Sequence, residues 1–355
     1  MKEYWLIHAQ RLIKNPILKI LFLLSIITLV GTYVYHYKVS YDHSLLQELT
    51  QEVDDSQMAD SPFLKALNRL EIKEDAQTYM AIVKAYKWQA DSILEPGTQY
   101  EQEIKRQSEK KVAYFDYLAK ENLLADYPLP VRSVGFCRTI WEDVLTHFQL
   151  LMVLIISIFL LIPDYYQGIN IASTLPISRI QQAFVQLVIV LSIQFIFQIT
   201  LSLISILLAR ILGGWDSWKT PIIVLTQARD LTARPFIDLV FPAFKLQMIT
   251  SITIFLSLRL LQDVLKNYQL ASFVGLLVIV GLQLLSLAEE KIEAFVHLIP
   301  YNYFNGLSII SGSYSQNFIQ QYLTYEQGFW VNCVTILLLL LILIFIWEIR
   351  KKSTN

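Results

Sequence analysis

The chain has 355 residues, 54% of them hydrophobic and 17% charged, and its mean hydropathy of +0.44 exceeds that of ordinary soluble domains. A formal net charge of -1 gives no reason to expect nucleic acid as a partner. Two cysteines, Cys137 and Cys333, make neither a disulfide framework nor a metal-ligand cluster. The composition indicates a membrane protein.

Six apolar segments are candidates for membrane crossing, since a helix needs about 20 mostly apolar residues to cross the hydrocarbon layer. The fourth is the weakest, because Lys245 and Gln247 interrupt its start. The sequence therefore predicts an all-α polytopic membrane protein with six transmembrane helices. These are expected at residues 17–36, 144–163, 183–209, 241–258, 270–288 and 329–347.

The residues before the first span form an amphipathic pattern. In the stretch YWLIHAQRLIKN, which covers residues 4–15, Trp5, Ala9, Leu12 and Ile13 share one helical face, and the basic residues lie mostly elsewhere. Helices of this kind lie in the membrane interface. Residues 1–36 are therefore predicted to be an interfacial helix followed by the first span. The alternative is a simple basic flank to a membrane anchor.

A block of residues from 37 to 143 differs from the rest of the chain, because roughly half of the charged residues lie there. Leu64, Leu67 and Leu70 repeat at helical spacing, and Thr98 with Glu101 forms a capping-box pattern before a further helix. The block is predicted to be a helical extracellular domain of about 100 residues. It either contacts a substrate or partner, or it covers the first two spans and helps subunits to pair.

Lys and Arg residues predict the orientation, because basic residues concentrate in the cytoplasmic flanks of membrane spans. Those near the span ends share one side if both termini are cytoplasmic, and the block 37–143 is then outside. Residues 144–355 form a membrane domain with spans two to six. The residues behind this prediction are Lys2, Arg11, Lys14, Lys19, Arg179, Arg259, Lys266, Arg350, Lys351 and Lys352.

The orientation places a polar segment, PDYYQGINIASTLPISRIQQ at residues 163–182, in the cytoplasm between spans two and three. Gly168 permits a sharp turn, and a short helix is expected from Ile169 to Leu175. Pro176 ends that helix, and Arg179 anchors the chain at headgroup level. An ordinary loop is the alternative.

This segment resembles the coupling helix of the permease subunits of ABC-2 type transporters, which sits in a groove of the ATP-binding subunit. Asp164 matches an acidic position of the family pattern and Gly168 matches its glycine. Ile169 stands where the family commonly has a threonine. The Leu-Pro-Ile-Ser-Arg end of the pattern matches Leu175, Pro176, Ile177, Ser178 and Arg179.

The resemblance implies a transmembrane subunit of an ATP-driven exporter, with residues 164–182 as its coupling segment. Its partners would be an ATP-binding subunit, a second permease copy or related permease, and membrane lipids, with a peptide, lipid or drug-like substrate. The chain contains no G-x-x-x-x-G-K-[ST] phosphate loop. It is therefore expected to be no enzyme and to have no cofactor of its own, while the partner binds ATP and Mg. The cytoplasmic membrane of a bacterium is the expected location.

The third predicted span has polar residues at spacings of eight, four, four and three, which place them on one helical face. Polar side chains in lipid turn towards protein or water. This face lines a translocation path or a seam between two permease subunits, or it makes ordinary hydrogen bonds between helices of one bundle. Its members are Gln186, Gln194, Gln198, Ser202 and Ser205.

A second function class also fits the predicted layout. A membrane-anchored receptor or scaffold would act through the extracellular domain and use the spans as an anchor. Six spans and a structured loop between the second and third are not evidently needed for that role, so the sequence favours transport.

Overall fold

The computed structural model describes residues 2–42, 84, 86, 87, 91, 99–121, 123, 131–162, 165, 166, 169, 170, 178–225, 231–288, 293–311 and 323–354. They are mostly helical and belong to two compact units. Unit 1 comprises Met1–Leu29, Trp141–Leu203 and Phe241–Asn355, and unit 2 comprises Val30–Ile140 and Ile204–Val240. Unit 2 thus combines most of the predicted extracellular block with a stretch from the predicted membrane domain.

The helices are α1 (Lys2–Lys14), α2 (Pro16–Asp42), α3 (Gln99–Glu121), α4 (Ser133–Thr139), α5 (Leu145–Leu161), α6 (Arg179–Leu212), α7 (Phe236–Leu265), α8 (Tyr268–Ala288), α9 (Glu293–Val296), α10 (Gly306–Ser311) and α11 (Tyr325–Thr354). A π-helical turn, Ile140–Val144, joins α4 to α5, and a 3₁₀ helix, Pro300–Phe304, lies between α9 and α10. Two short antiparallel hairpins depart from the all-α prediction. They are β1 (Tyr165–Tyr166) with β2 (Ile169–Asn170), and β3 (Pro221–Leu225) with β4 (Leu231–Pro235).

Four of the described helices are long and apolar enough to cross a membrane, and they indicate a membrane protein. The second predicted span falls on α5, which is bent by 50° from the preceding helical residues and meets the criterion only as a broken span. The fifth falls on α8, a helix of 21 residues whose stretch Tyr268–Leu282 is apolar. The four helices, which carry the first, third, fourth and sixth predicted spans, are Pro16–Lys38, Arg179–Leu212, Phe236–Leu265 and Tyr325–Arg350.

Asn15 and Pro16 form the junction between α1 and α2. The Asn15 side chain accepts a hydrogen bond from the Ile17 amide at 2.8 Å, and Pro16 occupies the first helical position, where its missing N–H costs nothing. The part of α1 that is buried against protein is the row Tyr4, His8 and Leu12. Of the predicted apolar face only Leu12 belongs to this row. Trp5 and Ile13 are exposed, which suits contact with lipid.

In unit 2, helix α3 packs against both strands of the β3–β4 hairpin. A buried carboxylate, Asp216, holds the N-terminus of α4. It accepts hydrogen bonds from Ser133 Oγ at 2.8 Å, from the Val134 amide and from the Gly135 amide at 2.8 Å. A carboxylate at a helix N-terminus satisfies backbone donors that would otherwise lack partners. Within unit 2, the N-terminus of α4 is thus fixed by hydrogen bonds to a residue more than 80 positions later in the chain, with separations of 83, 82 and 81 residues.

In unit 1, helices α7 and α8 are joined by two residues only. Lys266 adopts the left-handed conformation with φ of 56°, and the Asn267 side chain accepts from the Gln269 and Leu270 amides, which caps α8. In the middle of α7, Thr253 Oγ1 donates a hydrogen bond to Asn332 Oδ1 of α11 at 2.8 Å. Helix α7 therefore contacts α11 within unit 1.

Candidate functional site

The predicted coupling segment begins with a hairpin rather than a helix. Tyr166 pairs with Ile169, which leaves only two residues between strands β1 and β2. The expected helix from Ile169 to Leu175 is therefore wrong at Ile169 and Asn170, which belong to strand β2. Tyr and Ile have high β propensity, and a two-residue connection is typical of a β-hairpin. Of the family-matched residues, Asp164, Gly168, Leu175, Pro176 and Ile177 lie outside the described residues.

The remaining two family-matched residues start helix α6. The Ser178 amide donates to Gln181 Oε1 at 3.0 Å, and the Gln181 amide donates to Ser178 Oγ at 3.3 Å. This reciprocal pair is a capping box, and its Ser-x-x-Gln signature is visible in the sequence. Arg179 is the first helical residue, and its side chain is exposed. The segment thus has a defined boundary at the point where the chain enters α6.

The polar face of α6 points into protein. Gln186, Gln194, Gln198 and Ser205 are buried, with 4% of Gln186 exposed and less of the other three, and Ser202 is half-buried. Ser202 Oγ accepts a hydrogen bond from Trp141 Nε1 at 2.7 Å. Ser205 belongs to unit 2 and the other four residues to unit 1. These side chains are therefore buried by other residues of the same chain.

A layer of glutamines lies part-way along α6 in unit 1. Gln198 donates to Gln247 of α7 at 3.0 Å, whereas both amide atoms of Gln194 and of Gln149 have no hydrogen-bond partner among the described residues. The Leu160 carbonyl, near the end of α5, accepts a hydrogen bond from Gln186 near the start of α6. Trp141, just before α5, donates a hydrogen bond to Ser202 further along α6. Helices α5 and α6 are therefore antiparallel. At 1.5 Å per residue, Gln149 and Gln198 both lie about 17 Å from the Gln186–Leu160 contact. We call Gln149, Gln194, Gln198 and Gln247 the glutamine layer.

Gln186 connects the two helices that flank the predicted coupling segment. Its Nε2 donates to the Leu160 carbonyl of α5 at 2.8 Å and to the Tyr4 hydroxyl of α1 at 3.1 Å. The next carbonyl, that of Leu161, accepts a hydrogen bond from Gln262 of α7. The last carbonyls of a helix have no partner within the helix. Side chains of α6 and α7 therefore cap the end of α5.

A buried ion-pair network adjoins this cap. Arg259 Nη1 donates to Gln186 Oε1 at 3.2 Å, and Arg259 Nε lies 3.3 Å from Asp263 Oδ2. From α11, Trp347 Nε1 donates to Asp263 Oδ2 at 2.8 Å. Arg350 donates to both Asp263 Oδ1, at 3.3 Å, and the Asp263 carbonyl. We call Arg259, Asp263, Trp347 and Arg350 the Asp263 cluster.

The Asp263 cluster revises the interpretation of two basic residues. Arg259, expected in a loop between spans four and five, lies inside α7 and is 8% exposed. Arg350 pairs with Asp263 rather than standing free at the end of the last span. Asp263 was not among the predicted functional residues, although an Arg-x-x-x-Asp pair at helical spacing was the available signal. The fourth predicted span ends at residue 258, whereas the helix that carries it continues to Leu265.

Comparisons with known proteins leave the family open. A scan against protein-family models, a search of curated proteins and a search of solved structures each found no match. In the part of the chain that the structure describes, no group of three or more His, Cys, Asp or Glu side chains is arranged to hold a metal ion. The best-defined polar site of unit 1 consists of the Asp263 cluster and the hydrogen bonds from Gln186 and Gln262 that cap the end of α5.

Proposed function

We propose that this chain is the transmembrane permease subunit of an ATP-driven exporter of the ABC-2 type. A separate ATP-binding subunit hydrolyses ATP, with Mg, and two permease chains move a peptide, lipid or drug-like substrate outward. The chain has six spans, with the α4–α5 pair as the second and α8 as the fifth. Both termini are cytoplasmic, and the membrane is the cytoplasmic membrane of a bacterium.

One observation supports the proposal most strongly. The helices on either side of residues 163–178 are held to three others at one end of unit 1, through Gln186, Gln262 and the Asp263 cluster. A subunit that pushes on these residues would displace the last carbonyls of α5 and the first turns of α6. The hydrogen bonds of Gln186, Gln262 and the Asp263 cluster would transmit both displacements to α1, α7 and α11. An anchor for a receptor has no need of such a connection.

The coupling role is assigned to Asp164, Gly168 and the run from Leu175 to Arg179. The support is the resemblance of these residues to the family pattern, together with the capping box that begins α6 at the end of the run. Within the polar face of α6, Gln194 is the residue we assign to the translocation path, because both of its amide atoms are buried without a partner among the described residues.

Purification of the tagged chain from its native membranes in mild detergent tests this function. We expect a soluble protein with a phosphate loop to purify in stoichiometric amount, and the complex to hydrolyse ATP. A chain that purifies alone, or only with extracellular proteins, contradicts the proposal and favours a receptor.

Variants then test the coupling segment. Replacing Leu175 and Pro176 together with Ala is expected to reduce ATP hydrolysis by the complex or to release the ATP-binding subunit, while the chain stays in the membrane. Arg234→Ala is the matched control, since Arg234 is an exposed residue of β4 in unit 2. Equal behaviour of the two variants contradicts the assignment of the segment.

A further inference from the structure

The end of helix α6 lies one bilayer thickness from its start. No Asp, Glu, Lys or Arg lies between Arg179, its first residue, and Arg210, which is exposed near its last turn. At 1.5 Å per residue the two arginines are about 46 Å apart along the helix, close to the 40–45 Å of a bilayer with its headgroups. If α6 crosses the membrane, Arg210 therefore lies at headgroup level on the side opposite to Arg179.

The loop that follows α6 is fixed on both sides of one exposed tryptophan. Gly214 adopts the left-handed conformation with φ of 92°, and its carbonyl accepts a hydrogen bond from the start of α4 at 3.3 Å. The buried Asp216 holds the N-terminus of α4, and the Trp218 ring is stacked on Phe236 with 6.3 Å between ring centres. Trp215 is nevertheless 49% exposed. Its neighbours in the chain, rather than its own burial, hold this ring at the surface.

The surroundings of the Trp215 ring combine a cation with exposed aliphatic side chains. The Arg210 guanidinium lies 5.2 Å from the ring centre, and Ile211 and Leu212 are 79% and 57% exposed. Exposed aliphatic residues on a helix that can cross a membrane favour contact with lipid. Trp is enriched at the membrane interface, and a guanidinium binds phosphate through paired hydrogen bonds. This combination fits the headgroup of a phospholipid.

Helix α2 brings exposed tyrosines to the same level in unit 2. The Tyr33 hydroxyl packs against Gly213, where an added Cβ would lie 3.0 Å from it. Tyr33 is buried, but Tyr35 and Tyr37 are 65% and 47% exposed, and the exposed Lys38 follows them. Tyrosines and basic residues at the end of a membrane-crossing helix mark the interface with water. Two separate helices therefore place the interface at the same level.

We propose that Arg210 and Trp215 form a contact site for anionic phospholipid headgroups, at the bilayer surface opposite to Arg179. The guanidinium binds the lipid phosphate, and the indole ring lies at the boundary between headgroups and acyl chains. Tyr35 and Tyr37 lie at the same depth. The site requires only that α6 crosses a membrane. It does not depend on a transported substrate or on an ATP-binding subunit, so failure of the transport function leaves it unaffected.

Brominated lipids test the depth of Trp215, because bromine quenches tryptophan fluorescence on contact. The Trp215 signal is the difference between the full-length chain and its Trp215→Phe variant, both in lipid nanodiscs. We expect bromine near the headgroup end of the acyl chain to quench this signal more than bromine near the chain terminus. Equal quenching by the two lipids, or none, overturns the site.

Trp218→Phe provides the matched control, since the Trp218 ring lies in the same loop and is stacked on Phe236. The Trp218 signal, obtained as the same kind of difference, is expected to be quenched less than the Trp215 signal. A Trp215 signal that is quenched no more than the Trp218 signal overturns the placement of Trp215 against lipid.

The phosphate contact has a separate test in nanodiscs that mix phosphatidylglycerol with phosphatidylcholine. Bromine is placed on one lipid at a time, and the ratio of Trp215 quenching by the two lipids reports the local enrichment of the anionic one. Arg210→Gln is expected to lower this ratio by up to about fivefold, the factor for one basic residue near an anionic surface. Arg234→Gln, which removes an exposed arginine of β4, is expected to leave it unchanged. An unchanged ratio in Arg210→Gln, or an equal decrease in both variants, overturns the phosphate contact.

Discussion

Helix α7 takes part in two polar regions of unit 1 that differ in how their polar groups are satisfied. In the Asp263 cluster a buried carboxylate has donors from Arg259, Trp347 and Arg350. In the glutamine layer, Gln198 and Gln247 share one hydrogen bond, and four amide atoms of two other glutamines have no partner among the described residues. A charge tolerates burial only when it is paired, whereas a neutral amide left unpaired costs less. Apolar substitution should therefore destabilise the Asp263 cluster strongly, whereas replacing an unpaired glutamine of the layer should cost little or nothing.

The largest effect is expected for Asp263→Ala. It leaves two arginines without their shared acceptor, and breaking a buried pair in this way destabilises a protein by about 3–5 kcal/mol. Thermal unfolding in detergent measures the change, with Thr253→Val as a neutral control. A loss no greater than that of the control would mean that water already reaches the cluster.

Arg350→Lys should have the next largest effect. Arg350 uses two nitrogens, one on the Asp263 carboxylate and one on its carbonyl, and an ammonium group cannot reproduce that fork. Loss of a charged hydrogen bond corresponds to about 1.5–3 kcal/mol. The same unfolding assay checks it. Because the Arg350 side chain is 27% exposed, a value at the lower end is expected.

Two substitutions in the glutamine layer should change the free energy of unfolding in different ways. Gln194→Leu removes unpaired amide atoms and should be neutral or stabilising, whereas Gln198→Leu leaves Gln247 without its donor and should cost about 1–3 kcal/mol. Unfolding midpoints of the two variants measure the difference. If Gln194→Leu is the more destabilising variant, its amide has a partner in the membrane, and the contrast between the regions disappears.

Ser178→Ala should show the smallest effect, because it removes one half of an exposed capping box. Caps of this kind contribute about 1 kcal/mol. Hydrogen exchange in the first turn of α6 should accelerate. Unchanged exchange there would contradict the capping role of Ser178.

Local patterns in the sequence predicted several elements. The apolar runs located α2, α6, α7 and α11, and the Thr-x-x-Glu pattern located the start of α3. The spacing of the α6 polar residues placed Gln186, Gln194 and Gln198 on one buried face. Helical periodicity and hydrophobicity act between residues a few positions apart, so one chain segment contains all the information they need.

Contacts between distant segments were not predictable in the same way. The β1–β2 hairpin replaced the expected helix at Ile169. Helix α7 extends past the fourth predicted span, and its residue Asp263 has partners 84 and 87 residues later in the chain. No local pattern predicts which helix supplies the partner of a buried charged side chain. Sequence alone determined where the apolar helices lie, because that depends on local composition. Only the tertiary structure decided which polar groups are paired in the interior, because burial and pairing depend on packing between helices far apart in the chain.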